Sequence, residues 1–72
     1  MELDAVGRAT GVVKIYYPLK GFGFITREKG RDLFFYRSAF EDEAAILDGA
    51  IVSFRVEQSQ RGPKAMDIAR IG

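Results

Sequence analysis

Lys20-Gly21-Phe22-Gly23-Phe24-Ile25 is the stretch on which the reading of this 72-residue chain turns. In a strand, residues two apart share a face, so Phe22 and Phe24 point one way while Gly21, Gly23 and Ile25 point the other. Glu28-Lys29-Gly30-Arg31 reads as a hairpin turn. That turn joins a strand from Gly21 to Arg27 to the next, Asp32 to Arg37, in which Phe34 and Tyr36 alternate with Leu33, Phe35 and Arg37. Were Phe22 and Phe24 turned to the core, the other face of their strand would offer little but glycine. Ile25, Leu33, Phe35 and Val13 are therefore assigned to the interior. That leaves Phe22, Phe24, Phe34 and Tyr36 together on one outer surface.

The flanking sequence supplies three more strands. Thr10 to Tyr17 is rich in β-branched and aromatic residues and stops at Pro18, which cannot donate to a ladder. Ile51 to Gln58 alternates cleanly, with Val52, Phe54 and Val56 on one side. Lys64 to Ile71 carries Ala65, Met66, Ile68 and Ile71, and Gln60-Arg61-Gly62-Pro63 is the turn before it. Asp48-Gly49 is another turn. Ser38 to Leu47 breaks the β pattern. Ser38 is the expected N-cap of a short helical turn, with Glu41 three residues on, followed by an acidic loop. Phe40, Phe54, Val56 and Ile68 are further core residues. Five short strands with one interruption after the third predict an all-β fold, a five-stranded antiparallel barrel of the OB type. Residues 1–9 are expected to be a lead-in and residues 10–72 the domain.

Composition narrows the chemistry. The chain has no histidine and no cysteine. The usual acid–base group near neutral pH, the thiolate nucleophile and the commonest zinc ligands are therefore missing. No nucleophile–base pair is evident. The expectation is a protein that is not an enzyme, with no cofactor, no metal and no small-molecule substrate. No apolar run approaches the roughly 20 residues of a membrane span, and the first residues lack the pattern of a signal peptide. A cytoplasmic protein with no membrane partner is expected. Net charge is +1, but its distribution is uneven. Residues 1–40 hold seven Lys/Arg and four Asp/Glu, residues 41–57 one against five, and residues 58–72 three against one. One face can therefore be basic on a nearly neutral molecule.

Four exposed neighbouring rings disfavour solubility and call for an explanation. Unpaired bases supply one, since stacking on an aromatic side chain contributes roughly 1–3 kcal/mol per base. Glycine between the two phenylalanines lets the backbone approach closely and keeps the rings unobstructed. Lys14 and Lys20 are placed at the rim, where they would meet phosphates.

At this point the sequence resembles the cold-shock domain family. Lys20-Gly21-Phe22-Gly23-Phe24-Ile25 is similar to that family's first ribonucleoprotein motif, and Asp32-Leu33-Phe34-Phe35-Tyr36-Arg37-Ser38-Ala39 resembles a diverged second motif. Gly11-Val12-Val13-Lys14, Asp48-Gly49-Ala50-Ile51-Val52-Ser53-Phe54 and Arg61-Gly62-Pro63-Lys64-Ala65 resemble its opening strand, fourth strand and last turn, so the likeness covers about residues 10–71. The resemblance implies an OB-fold without cofactor that binds single-stranded RNA or DNA, prefers pyrimidine-rich stretches and acts as an RNA chaperone.

The chain also departs from the family. Ile15 stands at the place of a stacking tryptophan, and Tyr16 and Tyr17 replace a phenylalanine and an asparagine. Tyr36 replaces a stacking histidine and keeps a ring. Arg37 replaces a phenylalanine, with a planar guanidinium able to stack or to pair with phosphate. The loop after Phe40 is shorter and acidic and lacks a further aromatic. These losses imply weaker binding than a typical member and a larger salt-dependent share.

The remaining candidates divide between two readings. Tyr16 is either an edge of the platform or half-buried with a wet hydroxyl. Tyr17 covers the rim or replaces the missing stacker. Asp32 accepts from an exocyclic amine of a base or pairs with Arg31 or Lys29. Arg61 and Lys64 are solvated cations or contacts to the nucleic acid. The full candidate interface is Lys14, Tyr16, Tyr17, Lys20, Phe22, Phe24, Asp32, Phe34, Tyr36, Arg37, Arg61 and Lys64, in a monomer or weak dimer. The alternative function is a protein-interaction module on a diverged OB-fold.

Overall fold

A computed structural model describes residues 8–28 and 30–72. Five strands, β1 (Ala9–Tyr17), β2 (Phe22–Arg27), β3 (Leu33–Tyr36), β4 (Ile51–Ser59) and β5 (Gly62–Arg70), close into a barrel in the order β1-β2-β3-β5-β4. Four seams are antiparallel, and the closing β3–β5 seam, at Phe34↔Lys64, is parallel. Strand directions cannot alternate all the way round a ring of five, so one like-directed pair is unavoidable. It falls between β3 and β5, because the chain after β3 crosses over to pair β4 with β1 before β5 returns to close the ring. β1 begins at Ala9, one residue before the expected strand. The rest of the expected lead-in, bar Arg8, lies outside the described residues, as does Lys29 of the first hairpin turn.

The interior holds Val13, Ile25, Leu33, Phe35, Val52, Phe54, Ala65 and Ile68, with Phe40 and Met66 packed against it. Two irregularities decide which residues reach it. In β1 the register to β2 slips between Val13↔Ile25 and Ile15↔Phe24. Lys14 is thus an extra residue, and a bulge of this kind reverses the alternation beyond it. Val13 and Tyr16, three apart, both face inward, while Ile15 and Tyr17 turn outward. In β5 the slip opposite Ser53/Arg55 makes room for one extra residue. There Asp67 adopts φ +56°, and Ala65 and Ile68, again three apart, are both buried.

Three expectations are corrected. Tyr16 is buried, at 7% exposure, with its ring 5.8 Å from Phe35 and 5.5 Å from Phe40. The bulge at Lys14 is what turns it inward. Val56 is 41% exposed rather than core. It faces the same side as its partner Ala65 but lies past Ala9↔Phe54, the last β1–β4 pair among the described residues. Ser38 is not an N-cap, because the first 3₁₀ turn, Arg37–Ala39, runs straight on from β3 with Tyr36 in the cap position and no side-chain cap bond. The cap is Asp42, whose carboxylate accepts from the Ala44 amide at 3.1 Å and opens a second 3₁₀ turn, Glu43–Ala45.

Candidate nucleic-acid interface

Directly paired residues of neighbouring strands share a face, so the registers lay out the outer surface as two rows. Tyr17↔Phe22 and Phe22↔Tyr36 form one, and Ile15↔Phe24, Phe24↔Phe34 and Phe34↔Lys64 form the other. Between them, on the inner side, runs Tyr16↔Gly23↔Phe35. The outward direction of Phe22 and Phe24 is enforced from within. A Cβ on Gly23 would stand 2.5 Å from the Ile15 carbonyl oxygen and 2.7 Å from Phe35 Cζ. The glycine therefore makes room for the Phe35 ring inside; it does not clear space between the outer rings.

Five rings result. Centroids lie 5.3 Å apart for Tyr17 and Phe22, 6.1 Å for Phe22 and Phe24, and 6.0 Å for Phe34 with either phenylalanine. Phe34 and Tyr36 are 4.5 Å apart and nearly perpendicular. Phe22, Phe24 and Phe34 are half-buried, largely against one another, while Tyr17 and Tyr36 are exposed. Ile15, half-buried beside Phe24, extends the apolar surface where the sequence alone suggested a loss.

The cations are less free than their positions in the sequence suggest. Lys20 Nζ lies 5.6 Å from the Tyr17 ring centroid, a cation–π arrangement. Lys14, pushed outward by the bulge, forms a 3.0 Å ion pair with Asp32, so the carboxylate pairs with Lys14 and not with Arg31. Lys64 approaches Glu57 at 3.9 Å. Arg61 is exposed at the tip of the β4–β5 hairpin, its amide donating to Ser59 Oγ at 3.3 Å.

Arg37 is engaged within the chain. Its Nε donates to the Tyr16 hydroxyl at 3.3 Å, one Nη donates to the Pro18 carbonyl, and Glu43 lies at 3.8 Å. The Tyr16 hydroxyl in turn donates to Glu43 at 2.8 Å. The hydrogen bond to Tyr16, its electrostatic interaction with that residue and then the charge of Glu43 hold the guanidinium protonated above its ordinary range. These bonds lie within the chain, and the side chain itself remains exposed. Tyr16 is thus buried inside the barrel, while Lys14 and Arg37 stay exposed beside the platform, each paired within the chain. Leu19, in the β1–β2 turn, is wholly exposed.

A groove of about 720 Å³ between the acidic loop and β5, with Phe40, Glu41, Ile46, Arg55 and Met66 among its walls, includes no member of the aromatic surface. Among the described residues no group of acidic side chains is arranged to hold a metal, and no helix is long and apolar enough to cross a membrane.

The family model for the 'Cold-shock' DNA-binding domain matches residues 9–71. The major cold shock protein of Streptococcus pyogenes serotype M1 is 42% identical over 65 residues, spanning 88% of this chain and 97% of that protein. The cold shock-like protein of Thermotoga maritima is 37% identical over 60 residues, 81% of this chain and 91% of the relative. Among solved structures, drosophila Unr CSD456 superposes with a TM-score of 0.74 at 25% identity, over 90% of this chain and 27% of that one.

Proposed function

The chain belongs to the cold-shock DNA-binding domain family, whose members bind nucleic acid, and from that premise we propose that it binds single-stranded RNA or DNA by stacking unpaired bases on Tyr17, Phe22, Phe24, Phe34 and Tyr36. One observation carries this reading. Five rings lie side by side on the outer face of three strands, at centroid spacings of 4.5 to 6.1 Å. Each base laid on a ring contributes roughly 1–3 kcal/mol whatever its identity, so binding is sequence-tolerant. A pyrimidine preference fits the family resemblance. Lys20 and Arg61 meet phosphates, and Lys14 and Lys64 do so on exchanging a carboxylate partner for one.

Binding of this kind gives RNA chaperone action without any chemical step. A ligand for the unpaired state alone shifts a hairpin toward opening by mass action. No catalytic group is invoked, and the cytoplasm, where single-stranded transcripts are plentiful, is the proposed place of action. The chain lacks tryptophan, so tyrosine fluorescence reports binding through Tyr17 and Tyr36. Oligothymidine is expected to quench it at low salt.

A second reading, a protein-docking barrel, draws on the pairing of Lys14 with Asp32 and of Lys64 with Glu57, which leaves less positive charge for phosphates. Absence of quenching at low salt by a folded protein would favour it.

A further inference from the structure

Leu19 is 101% exposed, yet the turn that carries it is fixed on every side. The Tyr17 carbonyl accepts from the Lys20 amide at 3.1 Å and from the Gly21 amide at 2.8 Å. Pro18 restricts φ at the first corner, and Gly21, at φ +76°, closes the turn in the left-handed region that glycine tolerates. Arg37 then holds both halves. Its amide donates to the Gly21 carbonyl at 2.8 Å, and its guanidinium donates to the Pro18 carbonyl. Tyr16 and Glu43, on the far side of the guanidinium, prevent it from swinging away.

Single exposed apolar residues are common on proteins. Leu19 differs in standing on a turn whose backbone is hydrogen-bonded at both ends, in packing on nothing, and in following by two residues Tyr17, the β1 end of the row of rings. The neighbouring Lys20 supplies a positive charge over the Tyr17 ring. A polar residue would serve the turn equally well.

We propose that the Tyr17–Gly21 turn is a preorganised prong that adds one nucleotide contact to the platform, with Leu19 lying against the base or sugar beyond Tyr17 and Arg37 acting as the positioning residue. The proposal rests on the single-strand reading above. Leucine is among the side chains that wedge against bases in other nucleic-acid complexes. Because the backbone of the turn is already ordered in the free protein, binding has only the Leu19 side chain left to order there. The occupant is the same strand that lies on the rings, because the prong continues that surface and offers it both an apolar tip and a cation.

The test compares a short oligothymidine of about three nucleotides, which the rings alone cover, with a longer one of about eight. Leu19→Ala is expected to weaken the longer ligand about fivefold, roughly 1 kcal/mol, and the shorter one not at all, with an unchanged melting temperature. Arg37→Lys keeps the charge but not the planar fork, and is expected to lose the same amount on the longer ligand only. The two changes together should cost no more than either, since both remove one contact. Wild-type affinity of Leu19→Ala for the longer ligand, or equal losses at both lengths, would overturn the prong. Full affinity of Arg37→Lys for the longer ligand would overturn the positioning role. The platform reading fails separately, if the wild-type protein binds neither length, and the prong would fail with it.

Discussion

The Phe35 ring occupies the space that a side chain on Gly23 would fill, a Cβ there falling 2.7 Å from Phe35 Cζ. Interior and exterior are coupled through this one position. With Phe35 inside and no side chain beside it, β2 can lie flat on the core, and its two phenylalanines have only the outer face to occupy. Gly23→Ala is therefore expected to destabilise the barrel by about 1–3 kcal/mol, the usual cost of overpacking, read as a lower denaturation midpoint. Trimming Phe35 to leucine in the same chain should recover little, because the Ile15 carbonyl oxygen, at 2.5 Å, obstructs the new Cβ as well.

The two faces of the β2–β3 hairpin should respond differently to truncation. Phe35 is 0% exposed, and Phe35→Ala is expected to cost about 3–5 kcal/mol, enough to unfold much of a domain this small. Phe22→Ala removes a half-buried outer ring and should cost about 1 kcal/mol or less. Equal losses in urea denaturation would mean that both rings belong to one core.

The Tyr16 hydroxyl joins Arg37 to Glu43, donating at 2.8 Å and accepting at 3.3 Å. Tyr16→Phe keeps the ring against Phe35 and Phe40 and deletes only this link. The expected loss is about 0.5–1.5 kcal/mol of stability, together with faster amide exchange at Gly21 and Lys20 as Arg37 loosens its hold on the turn. Unchanged exchange there would show that the turn stands without the Arg37 latch.

Lys14 and Asp32 neutralise one another at 3.0 Å. Asp32→Asn releases the ammonium for phosphate. Oligothymidine affinity at low salt is expected to rise, and the slope of log K against log salt to steepen by about 0.7, the value for one added contact on a single strand. Weaker binding would instead make the Asp32 carboxylate a direct acceptor from a base.

Much of this architecture is legible in the residues themselves. The alternation of Phe22, Gly23, Phe24 and Ile25 against Leu33, Phe34, Phe35 and Tyr36 needs no more than the two-residue period of a strand, and the faces found are the faces expected. Tyr16 was not legible, because the extra residue at Lys14 changes the phase of β1 halfway along and nothing in Val13-Lys14-Ile15-Tyr16 marks the slip. Val56 alternates correctly and faces the same side as Ala65; its exposure depends on where β1 stops, which is a property of another strand. The partners of Lys14 and Arg37 are likewise set by tertiary structure. Asp32 is 18 residues from Lys14, and Tyr16 is 21 residues from Arg37. Side chains that read as free cations in the sequence were already committed in the fold.

The most direct measurement is the affinity of Phe24→Ala Phe34→Ala for oligothymidine at fixed low salt, with urea denaturation run on the same sample. Two lost stacking positions at about 1–3 kcal/mol each predict at least a thirtyfold weaker complex, roughly 2 kcal/mol, on a barrel that still unfolds cooperatively. A folded variant that binds as tightly as the parent would contradict stacking on the outer rings.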